Sequence, residues 1–167
     1  MNGELEVALR ATSIGIGATV VIDLWAQLSK RFWGIPLPNW GMVGRWFGHL
    51  PSGHFVHEDI AKASPVCGEL AIGWTAHYAI GIVYATLLIA IKGPEWARHP
   101  KLLPALIFGL LMLVFPFFVM QPGMGAGVAA SKTPNPNQAR LRSILTHTVF
   151  GIGLYGSAWL LTLLIPP

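Results

Sequence analysis

The sequence predicts an all-α fold: an integral membrane bundle of four transmembrane helices, with a short interfacial helix in the first long loop. Two observations carry this prediction. Of the 167 residues, 53% are hydrophobic and only 11% are charged, whereas an ordinary soluble domain carries about 25% charged residues. In addition, four apolar stretches reach the roughly 20 residues that are needed to cross a bilayer. Lipid accepts the apolar surface that water rejects, so a bilayer is the environment that suits this chain.

The predicted spans cover about residues 7–29, 70–91, 102–120 and 143–165. The length leaves no room for a second soluble domain, so residues 1–167 are expected to form one membrane domain. We call the side of the N-terminus side A and the opposite side side B. Four crossings place both termini and a short loop on side A. They place the two long connections, 31–69 and 121–142, on side B.

The distribution of positive charge bears on the orientation of these spans. Seven Lys and Arg residues fall on side B and four on side A. Because cytoplasmic loops carry the excess of Lys and Arg, this count favours periplasmic termini, although the dense charge of the short A-side loop argues the opposite. The net charge of +4 follows from topology, and nucleic-acid binding is not predicted.

The first B-side connection contains the predicted interfacial helix. Pro38 and Asn39 form a good helix start. Apolar residues then recur at helical spacing, at Trp40, Val43, Phe47 and Leu50. Such a helix lies in the plane of the membrane surface with its tryptophans at headgroup depth.

Asp23 is the most informative residue of the first span. It lies seven residues before Lys30, and a carboxylate at such depth costs several kcal/mol unless it is paired, solvated or protonated. Gly15, Thr19, Asp23 and Gln27 follow one another at four-residue steps. This small, polar stripe is expected to face protein or water, and close packing explains its glycine and threonine but not its aspartate.

Two histidines occupy similar places in the second and fourth spans. His77 and His147 lie near side B, and each is followed by a glycine four residues later and then by a tyrosine, Tyr84 or Tyr155. Gln121 lies at the B end of the third span. At 1.5 Å per residue, Asp23, His77 and His147 are about 5 to 10 Å from the midpoints of their spans, all toward side B. We therefore expect them to converge in a polar pocket that opens to side B.

Several chemistries fit such a pocket. Asp23, His77 and His147 can bind a divalent metal ion, and the two histidines can ligate a haem from either side. An aspartate and a histidine can also relay protons or hold a cationic solute. The remaining alternative is a structural network in which Asp23 accepts hydrogen bonds from the histidines. No hydrolase signature is present, so an enzyme is not favoured.

Three further histidines lie in the first B-side connection, at His49, His54 and His57, close to Glu58 and Asp59. His54 and His57 with Glu58 are a conceivable start of a metal site. The spacing matches no strong motif, however, and a solvated interfacial loop is the favoured interpretation.

Several segments resemble an uncharacterised family of small bacterial inner-membrane proteins, a family known as a domain of unknown function. They are NWGMVGRWFGHL at 39–50, GWTAHY at 73–78, QPGMG at 121–125, TPNP at 133–136, and Arg142-Ser143 through His147 and Gly151. The resemblance covers nearly the whole chain. It implies four spans in the bacterial inner membrane, and it supplies no activity, substrate or site residues.

The leading functional hypothesis is a protein that binds or transports a small solute or ion. Its site is centred on Asp23, His77 and His147, with Thr19, Gln121, Tyr84 and Tyr155 as further candidates. The alternatives are a membrane metal- or haem-binding protein and a non-catalytic membrane scaffold. Glycine-rich helix faces also make a homodimer in the lipid bilayer reasonable.

Overall fold

The computed structural model describes residues 3–165, and every regular element in that range is helical. The α-helices are α1 (Gly3–Trp33), α2 (Trp40–His49), α3 (Glu69–Lys92), α4 (Pro94–Arg98), α5 (Leu102–Leu111), α6 (Gln121–Gly123) and α7 (Pro136–Leu164). A π-helix, Pro116–Met120, precedes α6, and short 3₁₀ helices cover Leu50–Ser52, Ile60–Lys62 and Val128–Ala130. The predicted all-α class and the helix after Asn39 are both confirmed.

In the part of the chain that the structure describes, four helical segments are long and apolar enough to cross a membrane: Gly3–Trp33, Glu69–Lys92, Leu102–Gly123 and Pro136–Leu164. Their order and number are those predicted. Large apolar side chains are exposed along all four, as in Leu24, Val83, Leu103 and Leu160. Such a surface suits lipid, so the chain is a multi-pass membrane protein.

The last helix begins earlier than predicted. The sequence pattern placed the span at 143–165, but α7 starts at Pro136. Proline suits the first helical position because its missing N–H has no partner there and its φ is already helical. The Ala139 amide donates to the Asn135 carbonyl, so the helical hydrogen-bond pattern begins well before residue 143.

The described residues group into two compact units. The first unit contains Met1–Pro36, Tyr78–Leu111 and Thr146–Pro167, and the second contains Leu37–His77 and Met112–Leu145. The single membrane domain expected from the sequence stays a prediction.

Glycines set the close helix contacts of the first unit. A Cβ on Gly15 of α1 would lie 2.5 Å from the Ile82 Cα of α3. A Cβ on Gly153 of α7 would lie 3.0 Å from the Ala18 Cα of α1, and one on Gly109 of α5 would lie 2.7 Å from the His147 carbonyl oxygen. Backbones therefore approach directly at these crossings, as is common between membrane helices.

Arg10 ties the A-side end of the first unit together. Its side chain is 2% exposed. It donates from Nε to Glu6 Oε1 at 2.8 Å, and its two terminal nitrogens donate to the carbonyls of Ala97 and Ile165 at 3.3 and 3.0 Å. Arg98 also donates to both oxygens of Glu6, and these hydrogen bonds raise the pKa of Arg98 above its ordinary value. One buried guanidinium thus joins α1, α4 and the end of α7.

We expect Arg10→Met to lower the free energy of unfolding by about 2 to 3 kcal/mol, because two carbonyls and a carboxylate lose a charged donor. Thermal unfolding in detergent measures the effect. Arg31→Met is the matched control, because Arg31 is exposed. Equal melting temperatures for the two variants would show that the Arg10 network contributes nothing.

In the second unit, α2 lies directly against the first turns of α3. The Asn39 side chain caps α2 by accepting from the Met42 amide. Gly44 of this helix faces α3. A Cβ on Gly44 would meet the Glu69 carbonyl oxygen, and one on Gly73 would meet the Trp40 carbonyl oxygen. Neither position has room for a side chain, so α2 is held at backbone contact with α3.

Arg45 fixes the same crossing electrostatically. Its Nε and one terminal nitrogen donate to the two oxygens of Glu69 at 2.8 and 2.9 Å. These hydrogen bonds raise the pKa of Arg45 above its ordinary value. The other terminal nitrogen lies within 3.3 Å of the carbonyls of Ile60, Ala61 and Ala63. Arg45 therefore holds the loop after α2 as well as the helix that follows it.

The B-side end of the third span is the irregular part of this unit. The π-helix begins at Pro116. The Gly123 carbonyl accepts from the His57 amide at 2.8 Å, and the Met124 carbonyl accepts from the Ile60 amide at 3.1 Å. The first B-side loop is thus fastened to the end of the third span.

Candidate functional site

Asp23 is a half-buried carboxylate within α1. From Arg10 to Lys30 the helix advances about 30 Å, which matches the hydrocarbon thickness of a bilayer. Asp23 lies about 10 Å before Lys30 on this scale. We therefore expect it to be an ionisable group at membrane depth.

Tyr78 of α3 is a hydrogen-bond partner of this carboxylate. Its hydroxyl donates to Asp23 Oδ2 at 2.9 Å. The contact belongs to an antiparallel register in which Gly15 lies against Ile82, and Thr19 lies against Gly81. Because glycine lets the two backbones approach at these levels, the phenol one turn away reaches the carboxylate.

This register places three of the four residues of the polar stripe of α1 against α3. Gly15 and Thr19 are buried against α3, and Asp23 is hydrogen-bonded to it, whereas Gln27 is exposed. Thr19 is 1% exposed and donates to the Gly15 carbonyl at 2.8 Å. Its hydroxyl is thus bonded within its own helix, and the same Oγ1 atom faces Gly81 at the crossing.

The other candidates of the first unit are His147, Tyr84 and Tyr155, and all three are half-buried. The ring of Tyr84 makes edge contacts with Phe108 and Phe150, at centroid distances of 6.3 and 5.9 Å. Tyr84 therefore belongs to an aromatic contact between α3, α5 and α7. Roles for His147 and Tyr155 stay predictions.

His77 lies in the second unit, between two indole rings. Its ring stacks on Trp40 at a centroid distance of 3.9 Å, and Trp74 approaches its edge at 5.8 Å. Trp40 comes from α2 and reaches His77 because α2 is held at backbone contact with α3. The two indoles thus hold the imidazole where α2 meets α3.

Gln121 begins α6, immediately after the π-helix. Its side-chain oxygen is buried and has no hydrogen-bond partner among the described residues. A buried acceptor without a donor is uncommon and marks a place for a donor from water or a ligand. The π-helix before it is a feature that often occurs near functional sites.

Within residues 3–165, no group of three or more His, Cys, Asp and Glu side chains is arranged to hold a metal ion. The metal alternative for Asp23, His77 and His147 therefore draws no support from side-chain geometry. Asp23 and His147 belong to the first unit, and His77 and Gln121 to the second. Their convergence stays a prediction.

A cleft of about 710 Å³ opens beside the start of α1, far along the helix from Asp23. Its lining is mostly apolar, with Val7, Ala8, Ala11 and Pro94 among its residues. Arg98 also lines it, but its guanidinium is already engaged with Glu6 and Glu95. Among the described residues that line the cleft, none offers an unpaired positive charge to an anionic ligand.

A protein-family model described as a protein of unknown function, DUF2938, matches residues 12–161. The chain belongs to the DUF2938 family. This agrees with the resemblance seen in the sequence. No curated protein and no solved structure matches the chain, so the site of this DUF2938 chain has to be argued from its own residues.

Sequence reasoning missed three residues that organise this DUF2938 chain. Tyr78 lies three residues before Gly81, and residues at this spacing share a helix face, so an antiparallel pairing of α1 and α3 would have suggested it. Trp40 was assigned to the membrane surface, but it also stacks on His77. Arg10 was counted as topological charge, because its burial depends on Ala97 and Ile165, far away in the sequence.

Proposed function

We propose that this protein binds, and moves across the membrane, a small cation or a proton, at a site centred on Asp23 and Tyr78. The observation that carries the proposal is the half-buried Asp23 carboxylate within a membrane-spanning helix, hydrogen-bonded by the Tyr78 hydroxyl at 2.9 Å. An ionisable residue in such a place marks an ion or proton pathway more often than it serves packing alone.

The charge of the group favours a cationic ligand. An ionised carboxylate is an acceptor only, and in a low-dielectric setting it costs several kcal/mol unless a partner offsets the charge. A carboxylate attracts positive charge and repels negative charge, so binding of a cation or a proton is favoured at this position over that of an anion.

The helix crossing supports a pre-organised site. Gly15 and Gly81 bring α1 and α3 to backbone contact, and the buried Thr19 hydroxyl is satisfied within α1. Because this crossing fixes α1 against α3, it also fixes the position of Asp23 relative to Tyr78. His147 lies in the same unit and is the imidazole that we assign as a second proton-carrying group.

The Tyr78→Phe variant tests the site without removing its charge. We expect the affinity for the stabilising cation to fall about two- to tenfold, which corresponds to a net hydrogen bond of about 0.5 to 1.5 kcal/mol. The measurement is a titration of the melting temperature of the detergent-purified chain with sodium, potassium, ammonium or tetramethylammonium chloride. A variant that is less stable but binds with unchanged affinity would assign Tyr78 a purely structural role.

A further inference from the structure

Three histidines of the second unit form a cluster outside the membrane-spanning helices. The ring of His49, at the end of α2, lies 5.1 Å from the ring of His57 and 6.2 Å from the ring of His54, measured between centroids. His54 and His57 belong to the loop that follows α2. The sequence placed these residues in one connection but gave no reason for them to meet.

The hydrogen bonds of the cluster determine where each ring carries its proton. His49 Nε2 lies 2.9 Å from the Ser64 carbonyl oxygen, and His57 Nδ1 lies 3.3 Å from the Gly123 carbonyl oxygen. A carbonyl oxygen only accepts, so these two ring nitrogens carry the hydrogen in the neutral imidazoles. The lone pairs are then on His49 Nδ1 and His57 Nε2.

The tautomer of His54 follows from its hydrogen bond in the same way. The Ser52 hydroxyl donates its only hydrogen to the His49 carbonyl at 2.8 Å. It can therefore only accept from His54 Nδ1, which lies 3.1 Å away. The lone pair of His54 is on Nε2, and each of the three rings has one nitrogen held by the protein and the other available to a ligand.

The geometry points to a binding site for a transition-metal ion of the zinc, nickel or copper(II) class, with His49 and His57 as its protein ligands. A metal-ligating histidine characteristically donates its other ring N–H to a carbonyl or carboxylate, which fixes the ring and its tautomer. Both rings have this arrangement. Two imidazoles on one tetrahedral metal, at about 2.0 to 2.1 Å from each nitrogen, have ring centres about 5 Å apart, which matches the 5.1 Å separation.

The proposed site is open. Since no set of three His, Cys, Asp and Glu side chains in residues 3–165 is arranged to hold a metal ion, water completes the coordination. Imidazole nitrogen selects zinc, copper and nickel over magnesium and calcium, which prefer oxygen ligands. The two anchoring carbonyls belong to Ser64 and Gly123, so a bound metal strengthens the connection between the B-side loop and the end of the third span.

The test uses the full chain in mild detergent with any purification tag removed. Isothermal titration with zinc chloride is expected to show saturable binding of about one equivalent, with no response to magnesium chloride. His49→Gln and His57→Gln are each expected to weaken zinc binding roughly tenfold or more. His99→Gln is the matched control, because His99 is an exposed histidine of the first unit, and it is expected to leave zinc binding unchanged.

Electron paramagnetic resonance of the copper(II)-loaded wild-type chain gives a readout that does not depend on the folding of a variant. Hyperfine splitting from two imidazole nitrogens is expected, falling to one in either single variant. Absence of saturable zinc binding, or copper(II) without imidazole nitrogens in the wild-type chain, would overturn the proposal. So would zinc affinity that is unchanged in both single variants.

Discussion

Asp23→Asn is expected to abolish cation binding while the protein still folds. Asparagine keeps the size of the side chain and can accept from Tyr78, so the contact between α1 and α3 is retained. It removes the negative charge, and a neutral amide cannot offset the lost hydration of a cation in a membrane-spanning helix. We therefore expect no measurable cation binding by Asp23→Asn.

Ligand-dependent thermal stability measures this loss. A cation at about one hundred times its dissociation constant stabilises the folded state by about 2.7 kcal/mol. For a chain of this length that corresponds to a rise in melting temperature of about 5 to 10 °C. The rise is expected in the wild-type chain and in Glu58→Gln, a control at an exposed carboxylate outside the predicted spans. It is expected to disappear in Asp23→Asn.

Two other results are informative. Full stabilisation of Asp23→Asn by the same cation would exclude the carboxylate from the site. A variant that melts at a lower temperature, with no cation stabilising either protein, would favour the alternative in which Asp23 only fixes helix packing. The first result concerns the ligand and the second concerns the fold, so they are distinguishable.

Gly44→Ala is expected to produce a large loss of stability. The new Cβ would meet the Glu69 carbonyl oxygen and lie 2.5 Å from the Gly73 amide nitrogen. Both are backbone atoms of α3 and cannot rotate away. The helix α2 must move, which disturbs the Trp40 stack on His77, and overpacking of this kind costs about 3 kcal/mol.

The matched control is Gly156→Ala in α7. A Cβ at Gly156 has no atom within 4 Å, and alanine is favoured over glycine inside a helix by about 1 kcal/mol. Thermal unfolding should therefore distinguish the two substitutions. The melting temperature is expected to fall in Gly44→Ala and to be unchanged or to rise in Gly156→Ala. Wild-type stability in Gly44→Ala would mean that α2 is not held at backbone contact with α3.

The fold was predictable because it depends on properties that the sequence carries locally. Apolar length predicts the spans, Asn39 caps α2, and the four-residue steps from Gly15 to Asp23 identify the face of α1 that packs against α3. The start of α7 was misplaced for a local reason as well, since Pro136 suits both a turn and the first position of a helix.

The site was predictable only in part, because its partners come from distant segments. Asp23 was singled out by the cost of its charge in lipid, but Tyr78 became visible only when the register of α1 and α3 was known. The meeting of His49 with His57 likewise depends on a loop path fixed by Arg45 and by the Gly123 carbonyl. Neither local propensity nor residue spacing encodes such long-range pairings.

Carbodiimide labelling of Asp23 is the measurement to make first. A protonated carboxyl group adds across a C=N bond of N,N′-dicyclohexylcarbodiimide, an apolar reagent, and rearranges to a stable acylurea without a leaving group. Mass spectrometry of the detergent-purified chain then locates the adduct. We expect it on Asp23, more of it as the pH falls, and less of it in the presence of the cation that raises the melting temperature. Labelling of Asp23 that neither pH nor any cation changes, or no labelling of Asp23 at any pH, would contradict a cation or proton site at this carboxylate.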